Sequence, residues 1–361
     1  MNSESIEHST RLSQWLQQAA DSGASDLHLA TDIAPMIRVH GEMKPLIDQP
    51  VTSAEMNEML RSLCPPDLFE RFERDRNLDF AAVVGDETNP QRFRSNYFFA
   101  GNQMGACFRV IPRVIPELAW AGFPIELADR ITRFRNGLIL FSGVTGSGKS
   151  TSMAMMVKQL LQGEPKRIIT IEDPIEYLFQ ADGGSLVTQR EVGRDVVSFA
   201  DGLKYGLRQD PDVILVGEIR DRETARIALS AAETGHLILA TMHARDGKGA
   251  ISRFVDLFPQ SSQFEVRALL AMSLRTIVCQ HLLPSSIAGE KRELALEVLF
   301  NTLAIAAAIR QGKLESIDNN IQTSRADGMQ LLDDDIHQLW TDGRISLETA
   351  KRFVSDPRSL H

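Results

Sequence analysis

The nine residues GVTGSGKST, 143–151, carry the strongest chemical pattern in the sequence. They match G-x-x-x-x-G-K-[ST], in which glycines let the backbone point its N–H groups at phosphate oxygens and the next helix adds its positive amino end. Lys149 would reach the β- and γ-phosphates, and the Ser150 hydroxyl would bind Mg²⁺. An apolar run, 138–142, precedes the pattern, as such a loop requires. The candidate nucleotide contacts are Gly143, Val144, Thr145, Gly146, Ser147, Gly148, Lys149, Ser150 and Thr151.

A candidate general base ends the segment DPDVILVGE, 210–218. The apolar centre of this segment predicts a buried strand, and the carboxyl ends of such strands face the ligand crevice of a parallel sheet. In P-loop enzymes a neighbouring strand ends in an acid that serves Mg²⁺ or the attacking water. We therefore assign Glu218 as the general base, the alternative being that it caps the next turn or pairs with Arg220.

Two further groups of titratable residues follow predicted strands. In TIEDPIEY, 170–177, Pro174 would turn the chain and leave Glu172, Asp173 and Glu176 near the nucleotide, although a solvated loop is the alternative. In TGHLILATMH, His236 precedes a predicted strand and His243 follows it. His243 could hydrogen-bond the γ-phosphate and His236 is a second candidate, whereas a lone histidine is more often structural.

Arginines recur upstream, at Arg92, Arg94, Arg109 and Arg113. They could form a charged row on an outward strand face. They could also supply positive charge to a nucleotide bound by a neighbouring subunit. Spacing alone does not separate these two interpretations.

Composition limits the functional class. The chain has 361 residues, and its 39 basic and 48 acidic side chains give 39 − 48 = −9, which argues against duplex binding driven by counterion release. No basic segment interleaved with aromatic residues occurs, so we expect no nucleic-acid partner. Three scattered cysteines suggest a reducing compartment. The polar start lacks a signal peptide, and no apolar run reaches the ~18–20 residues of a membrane span, so we expect a cytoplasmic protein without membrane insertion.

Hydrophobic patterning predicts two domains. Residues 1–112 read as a small α+β domain, with strands at 26–30, 36–41, 78–84, 92–99 and 105–112 and helices at 53–74 broken at Pro65-Pro66. Three prolines occur within 112–124, and residues 113–124 read as a linker. Residues 125–361 alternate strands with helices, which predicts an α/β parallel sheet. We expect a long helix at 264–283 and a mostly helical remainder, with a possible strand at 297–300.

The motifs GVTGSGKST, IEDPIEY, VTQREVG, LRQDPDVILVGEIRD and AAETGHLILATMHA, in this order, resemble the secretion-ATPase superfamily. Within it they resemble the type IV pilus retraction ATPases, the PilT and PilU group, and ASDLHLATDIAPMIRVHGEMKPL resembles that group's PAS-like domain. The resemblance covers nearly the whole chain. It implies a PAS-like α+β domain, then a RecA-like P-loop ATPase core with a helical C-terminal subdomain.

The resemblance also implies an assembly and site roles. It implies a cytoplasmic homo-hexamer that uses ATP and Mg²⁺ and is recruited to an inner-membrane pilus platform protein. Glu172 takes the acidic position of the Asp box, for catalysis and Mg²⁺, and Glu218 ends the Walker B segment. His236 and His243 form the His box. Arg92, Arg94 and Arg109 lie where the family keeps nucleotide-contacting and inter-subunit arginines.

One departure from the family pattern keeps a second function open. The retraction group's AIRNLIRE motif would fall on 304–311, which reads AIAAAIRQ, and the region 297–313 is more similar to PilU. The protein could therefore drive retraction alone, assist a paralogous ATPase, or act as a regulatory subunit with little hydrolysis. A GTPase switch would need an Asn-Lys-x-Asp motif, and the sequence contains no Asn-Lys pair.

Overall fold

The computed structural model describes residues 3–39, 41–85, 90–180, 183–287 and 289–360, with the backbone alone for 3–10 and 359. The chain divides into two compact units, Met1–Val114 and Ile115–His361. The division lies inside the proline-rich segment 113–124. The residues of this segment from Ile115 onward belong to the larger unit, where the side chains of Glu117 and Lys158 form an ion pair at 2.6 Å.

The smaller unit is a six-stranded antiparallel sheet in the order β3-β2-β1-β6-β5-β4 with three helices. Its elements are α1 (Ser3–Asp21), β1 (Asp26–Ala30), β2 (Met36–Val39), β3 (Glu42–Pro45), α2 (Ser53–Leu63), α3 (Pro66–Asp75), β4 (Asn77–Val84), β5 (Gln91–Ala100) and β6 (Gln103–Val110). The predicted strands and the helix break at Pro65-Pro66 are confirmed. The short, exposed β3 was not predicted, and His40, inside the strand predicted at 36–41, lies outside the described residues.

Alternation explains why one face of this sheet is buried. Along β5 the side chains of Phe93, Ser95 and Tyr97 are buried, whereas the intervening residues are only partly so. The buried face joins one hydrophobic core with residues of all three helices. Because successive side chains of a strand point to opposite faces, Arg92 and Arg94 lie on the face away from this core.

The larger unit has a seven-stranded sheet in the order β13-β12-β7-β11-β10-β8-β9. Its strands are β7 (Gly137–Ser142), β8 (Arg167–Glu172), β9 (Leu186–Glu191), β10 (Val213–Val216), β11 (Leu237–Met242), β12 (Leu274–Leu283) and β13 (Glu293–Phe300). All neighbouring pairs are parallel except β12 with β13. Every residue of β7, β10 and β11 is buried, as expected for central parallel strands covered on both faces.

The helices of the larger unit follow the strand alternation predicted for an α/β sheet. They are α4 (Leu118–Ala121), α5 (Ile125–Thr132), α6 (Lys149–Leu161), α7 (Phe199–Gly206), α8 (Arg222–Glu233), α9 (Gly247–Asp256), α10 (Gln263–Ser273), α11 (Leu303–Gln311), α12 (Ile317–Thr323), α13 (Leu332–Thr341) and α14 (Leu347–Phe353). Among the described residues, none of the helices is both long and apolar enough to cross a membrane.

The prediction of one helix over 264–283 is wrong. Helix α10 ends at Ser273, and Leu274 begins β12, which joins β7 in parallel and β13 in antiparallel pairing. A continuous apolar run fits a buried strand as well as a buried helix, and the β-branched residues 276–278 favour the strand. The possible strand at 297–300 is the end of the longer β13. The helical region therefore begins only after this strand pair, with α11.

Candidate active site

The candidate phosphate loop, residues 143–148, lies at the centre of the sheet. It follows β7, which has β12 on one side and β11 on the other, and it leads directly into α6. Gly148 caps α6 in the left-handed conformation, with φ of 89°. Ligands of open parallel sheets bind in the crevice at the carboxyl ends of the strands, and the loop lies at this edge.

The side chain of Lys149 is buried and folds back onto the loop that precedes it. Its Nζ donates to the carbonyl oxygens of Gly143 at 2.8 Å and Val144 at 3.0 Å. Burial lowers the pKa of the Lys149 ammonium, while the carboxylates of Glu218 and Glu176 oppose this shift. The loop therefore combines a cation, a helix amino end and left-handed glycines, which together fit a bound phosphate group.

A buried glutamine holds the loop from the neighbouring strand. Gln280 of β12 is fully buried, and its Nε2 donates to the carbonyl of Ser147 at 2.7 Å. Gln280 was not predicted from the sequence, because the contact joins residues 133 positions apart. No local spacing encodes such a contact.

Close packing makes Gly143 intolerant of a side chain. Its φ is 147°, and a Cβ there would lie 2.4 Å from the backbone oxygen of Gln280 and 2.5 Å from Ser147 Oγ. We expect Gly143→Ala to displace the loop and to lower stability by more than about 1 kcal/mol. Thermal unfolding with and without ADP measures both effects.

Gly146→Ala is the matched control for that substitution. Gly146 also has a positive φ, 78°, but nothing lies within 4 Å of its ideal Cβ. It therefore carries the backbone strain without the clash. Equal losses of thermal stability in the two variants, measured without ADP, would contradict the packing argument.

Glu172 lies where β8 ends, and three donors hold its carboxylate. Thr170 Oγ1 donates to Oε1 at 2.6 Å, Gln189 Nε2 donates to the same oxygen at 3.2 Å, and the backbone of Glu176 donates as well. Burial raises the pKa of Glu172 to about 7, although these hydrogen bonds oppose the shift. A protonated and an ionised carboxyl are thus both accessible near neutral pH.

The acidic segment after β8 touches the phosphate-loop helix. Tyr177 is buried, and its hydroxyl and Thr151 Oγ1 lie 2.9 Å apart in a hydrogen bond. Because Thr151 is in the first turn of α6, this contact brings the segment to the loop. The interpretation of 170–177 as a solvated loop is therefore wrong.

Glu218 follows β10 and lies in a small network of charged groups. Its Oε2 pairs with Arg220 Nε at 2.8 Å, and its Oε1 is 3.5 Å from His243 Nε2. Arg220 also lies 3.7 Å from Asp173 Oδ2. Glu218 therefore does pair with Arg220, which was the structural alternative, and it also acts electrostatically on Lys149. Glu218 lies at the carboxyl edge of the sheet, where the loop also lies, because it follows β10. Its assignment as the general base remains a prediction.

The structure separates the two histidines. His243 follows β11 at the carboxyl edge, beside Glu218. His236 precedes β11, so the six-residue strand lies between it and that edge, a distance of about 20 Å. Its Nδ1 contacts the carbonyl of Ala231 at 3.2 Å, and it lines a separate cavity with Lys166 and Asp212. Within one chain, His236 is not brought to the phosphate loop.

Three of the four upstream arginines, Arg92, Arg94 and Arg109, lie on one face of the smaller unit's sheet, whereas Arg113 follows β6 and its Nε donates to Gln91 Oε1 at 2.6 Å. Arg109 pairs with Arg94 across β6 and β5 and with Asp26 across β6 and β1. Arg109 Nε lies 2.9 Å from Asp26 Oδ1, and Asp26 is buried. Arg94 Nε is 4.0 Å from Asp79 Oδ1, a much looser contact. A charged row on a strand face exists, and its role toward a nucleotide remains a prediction.

Residues 2–328 match the sequence profile of the family described as Type II/IV secretion system protein, and the chain belongs to this family. It is 38% identical over 349 residues to the type IV pilus retraction ATPase PilT of Pseudomonas aeruginosa, covering 97% of this chain and 99% of that protein. It is 37% identical to the type IV pilus ATPase PilU of the same organism, covering 96% of this chain and 89% of that protein.

A solved structure of the pilus retraction motor PilT with bound ADP superposes with a TM-score of 0.84 at 38% identity, covering 96% of this chain and 98% of that one. The predicted relationship to the PilT and PilU group is confirmed, and so is the RecA-like secretion-ATPase core. The chain is almost equally identical to PilT and to PilU, so sequence identity does not assign it to one of the two.

Proposed function

We propose that this chain is the subunit of a cytoplasmic, hexameric, Mg-ATP-hydrolysing motor that drives or assists type IV pilus retraction, and hence twitching motility. The observation that carries the proposal is that buried Lys149, at the start of α6 after β7, and Glu218, just after β10, lie at the same carboxyl edge of the parallel sheet, where the Glu218 carboxylate opposes the lowering of the Lys149 pKa. The name of its relative, a type IV pilus retraction ATPase, supports the assignment of the pilus as the object on which the motor acts.

The described side chains suit an in-line hydrolysis. The loop N–H groups and Lys149 would bind the phosphates, and Ser150 with Glu172 would hold Mg²⁺, which supplies charge neutralisation at the phosphates when bound. Among the described residues no cluster of three or more acidic, histidine or cysteine side chains forms a metal site. A magnesium ion at this site would be held by one hydroxyl, one acid, phosphate oxygens and water.

Glu218 would accept the proton of the attacking water. His243, near the same carboxylate, would hydrogen-bond the γ-phosphate. The arginine row would supply charge from a neighbouring subunit, which makes the site dependent on assembly. The partners would be further copies of this chain, an inner-membrane pilus platform protein at the cytoplasmic face, and possible paralogous retraction ATPases, but no nucleic acid.

The alternative is an accessory nucleotide-binding subunit with little hydrolysis of its own. The altered segment AIAAAIRQ favours it. This segment lies in α11, where Ala304, Arg310 and Gln311 are exposed, whereas Ile305, Ala306, Ala308 and Ile309 are buried. A helix whose packed and exposed faces both differ from the retraction group could change a partner contact while leaving the nucleotide site as it is.

Hydrolysis and oligomer mass on the same purified sample test the proposal. We expect Lys149-dependent release of phosphate from Mg-ATP by a hexamer. A hexamer that binds ATP but barely hydrolyses it supports the accessory function, in which case addition of a paralogous ATPase should restore turnover. A monomer that neither binds nor hydrolyses ATP contradicts both.

Arg94→Ala should reduce hydrolysis in the assembled ring while leaving ATP binding to one chain intact, because the guanidinium would act across the subunit boundary. Such arginines raise turnover by about 10³-fold or more. The measurement is turnover against protein concentration through the assembly transition. Full activity of Arg94→Ala in the hexamer would make the row a surface feature only.

Arg94 is a cleaner choice than Arg109 for this test. Arg109→Ala would leave the buried Asp26 without its cation, so that variant also tests stability. Arg71→Ala is the matched control, since Arg71 is exposed and its ion pair among the described residues is with Asp75, one helical turn away.

A further inference from the structure

The edge strand β9 carries two polar side chains that hold the acidic segment after β8. Gln189 and Glu191 are two residues apart, so they project from the same face of the strand. Glu191 Oε2 accepts a hydrogen bond from the backbone N–H of Ile175 at 3.1 Å. The backbone of the segment is thus fixed by side chains of the neighbouring strand.

Gln189 makes three hydrogen bonds to this segment, from one amide group. Its Nε2 donates to Glu172 Oε1 at 3.2 Å and to the carbonyl of Tyr177 at 2.8 Å, and its Oε1 accepts from the backbone N–H of Phe179 at 2.9 Å. The two bonds to Tyr177 and Phe179 are of ordinary length and orient the amide. That orientation leaves the second N–H of Nε2 directed at the Glu172 carboxylate.

The same segment reaches the phosphate loop. The hydroxyl of Tyr177 is bonded to Thr151, two residues after Lys149. Gln189 therefore has two contacts in the same segment. One is with the carboxylate of Glu172, and the other is with Tyr177, the residue that touches the phosphate-loop helix. Neither contact follows from sequence, because β9 is separated from both by a loop.

We propose that Gln189 is a positioning residue for hydrolysis: its amide holds the Glu172 carboxylate at the angle needed beside the phosphates and keeps the segment 172–179 against α6. The proposal rests on the proposed function, since it requires Glu172 to act in hydrolysis. The side-chain hydrogen bonds of Gln189 are to Phe179, Glu172 and Tyr177, so it acts through Glu172. A purely structural role would affect folding and ATP binding as much as turnover, and this difference makes the two roles separable.

Gln189→Leu tests the proposal, because leucine fills a similar volume without polar atoms. We expect kcat to fall about 10-fold or more, as for a catalytic group misplaced by a fraction of an ångström, and KM for ATP to change less than about threefold. Thr188→Val is the matched control. Thr188 is the preceding residue on the same strand and bonds Arg167 instead of the acidic segment. Its variant should keep the wild-type kcat.

A second background separates positioning from general damage. In Glu172→Asp the carboxylate is withdrawn by one methylene, beyond reach of the Gln189 amide, so adding Gln189→Leu should lower kcat little further. Loss of the same factor in both backgrounds would overturn the proposal, and so would an unchanged kcat in Gln189→Leu alone.

Stability is controlled in the same samples. Thermal unfolding and oligomer mass identify a variant that fails to fold. In that case Gln189→Glu replaces Gln189→Leu, since it keeps the acceptor for Phe179 N–H but sets a carboxylate against Glu172. It is judged by the same kcat and KM criteria. Failure of the proposed function is distinguishable, because the wild-type chain would then show no Lys149-dependent hydrolysis at all.

Discussion

Glu218→Gln should lower ATP turnover by about 10²–10⁴-fold, the range that a positioned general base contributes. The substitution removes the proton acceptor but keeps an oxygen that can stay beside Arg220 Nε, which lies 2.8 Å from the carboxylate. It leaves the phosphate loop untouched. ATP affinity should therefore be unchanged or higher, because one negative charge near Lys149 and the phosphates is lost.

Steady-state phosphate release together with equilibrium binding of ATP measures the two effects separately. Glu223→Gln is the matched control: Glu223 lies in the first turn of α8, is exposed, and follows Glu218 by five positions. Wild-type turnover in Glu218→Gln would remove Glu218 from the role of base. Its pairing with Arg220 would then be the whole of its function.

Lys149→Ala should weaken ATP binding by roughly 100-fold and abolish measurable hydrolysis. A charge-assisted hydrogen bond contributes about 1.5–3 kcal/mol, and 2.7 kcal/mol corresponds to about 100-fold in affinity. The loss should be larger than for a surface lysine because Lys149 is buried, with only 9% of the residue exposed. The carbonyls of Gly143 and Val144 would also lose their donor.

Isothermal titration with ADP and with a non-hydrolysable ATP analogue checks this prediction. Lys158→Ala provides the control, since Lys158 lies in the last turn of the same helix and pairs with the exposed Glu117. That pair should contribute less than about 1 kcal/mol. ATP binding by Lys149→Ala with wild-type affinity would mean that the loop does not bind phosphate in the predicted way.

The positions that local chemistry determines were predictable. A phosphate loop needs glycines, a lysine and a hydroxyl at fixed positions within one short segment, so the segment can be recognised from its sequence. In the structure this segment lies between β7 and α6. Glu218 was predictable because a short apolar run ending in an acid predicts a buried strand whose end faces the crevice. Alternation of apolar and polar residues likewise predicted β4 and β5.

Other features depend on contacts that local patterns do not record. The helix expected over 264–283 is divided at Leu274, because a fully buried run has no exposed face to reveal its period. His236 and His243 are similar in sequence context, yet the direction of β11 puts them at opposite edges of the sheet.

The sequence by itself determined the position of the glycine-rich loop between β7 and α6 and of the acid that follows β10, because each depends on a short segment with its own chemistry. Only the tertiary structure decided which side chains support that chemistry. Gln280 and Gln189 contact their partners from neighbouring strands, and Arg220 folds back onto Glu218. Strand order and register bring these groups together, and they arise from burial of the whole sheet rather than from any one segment.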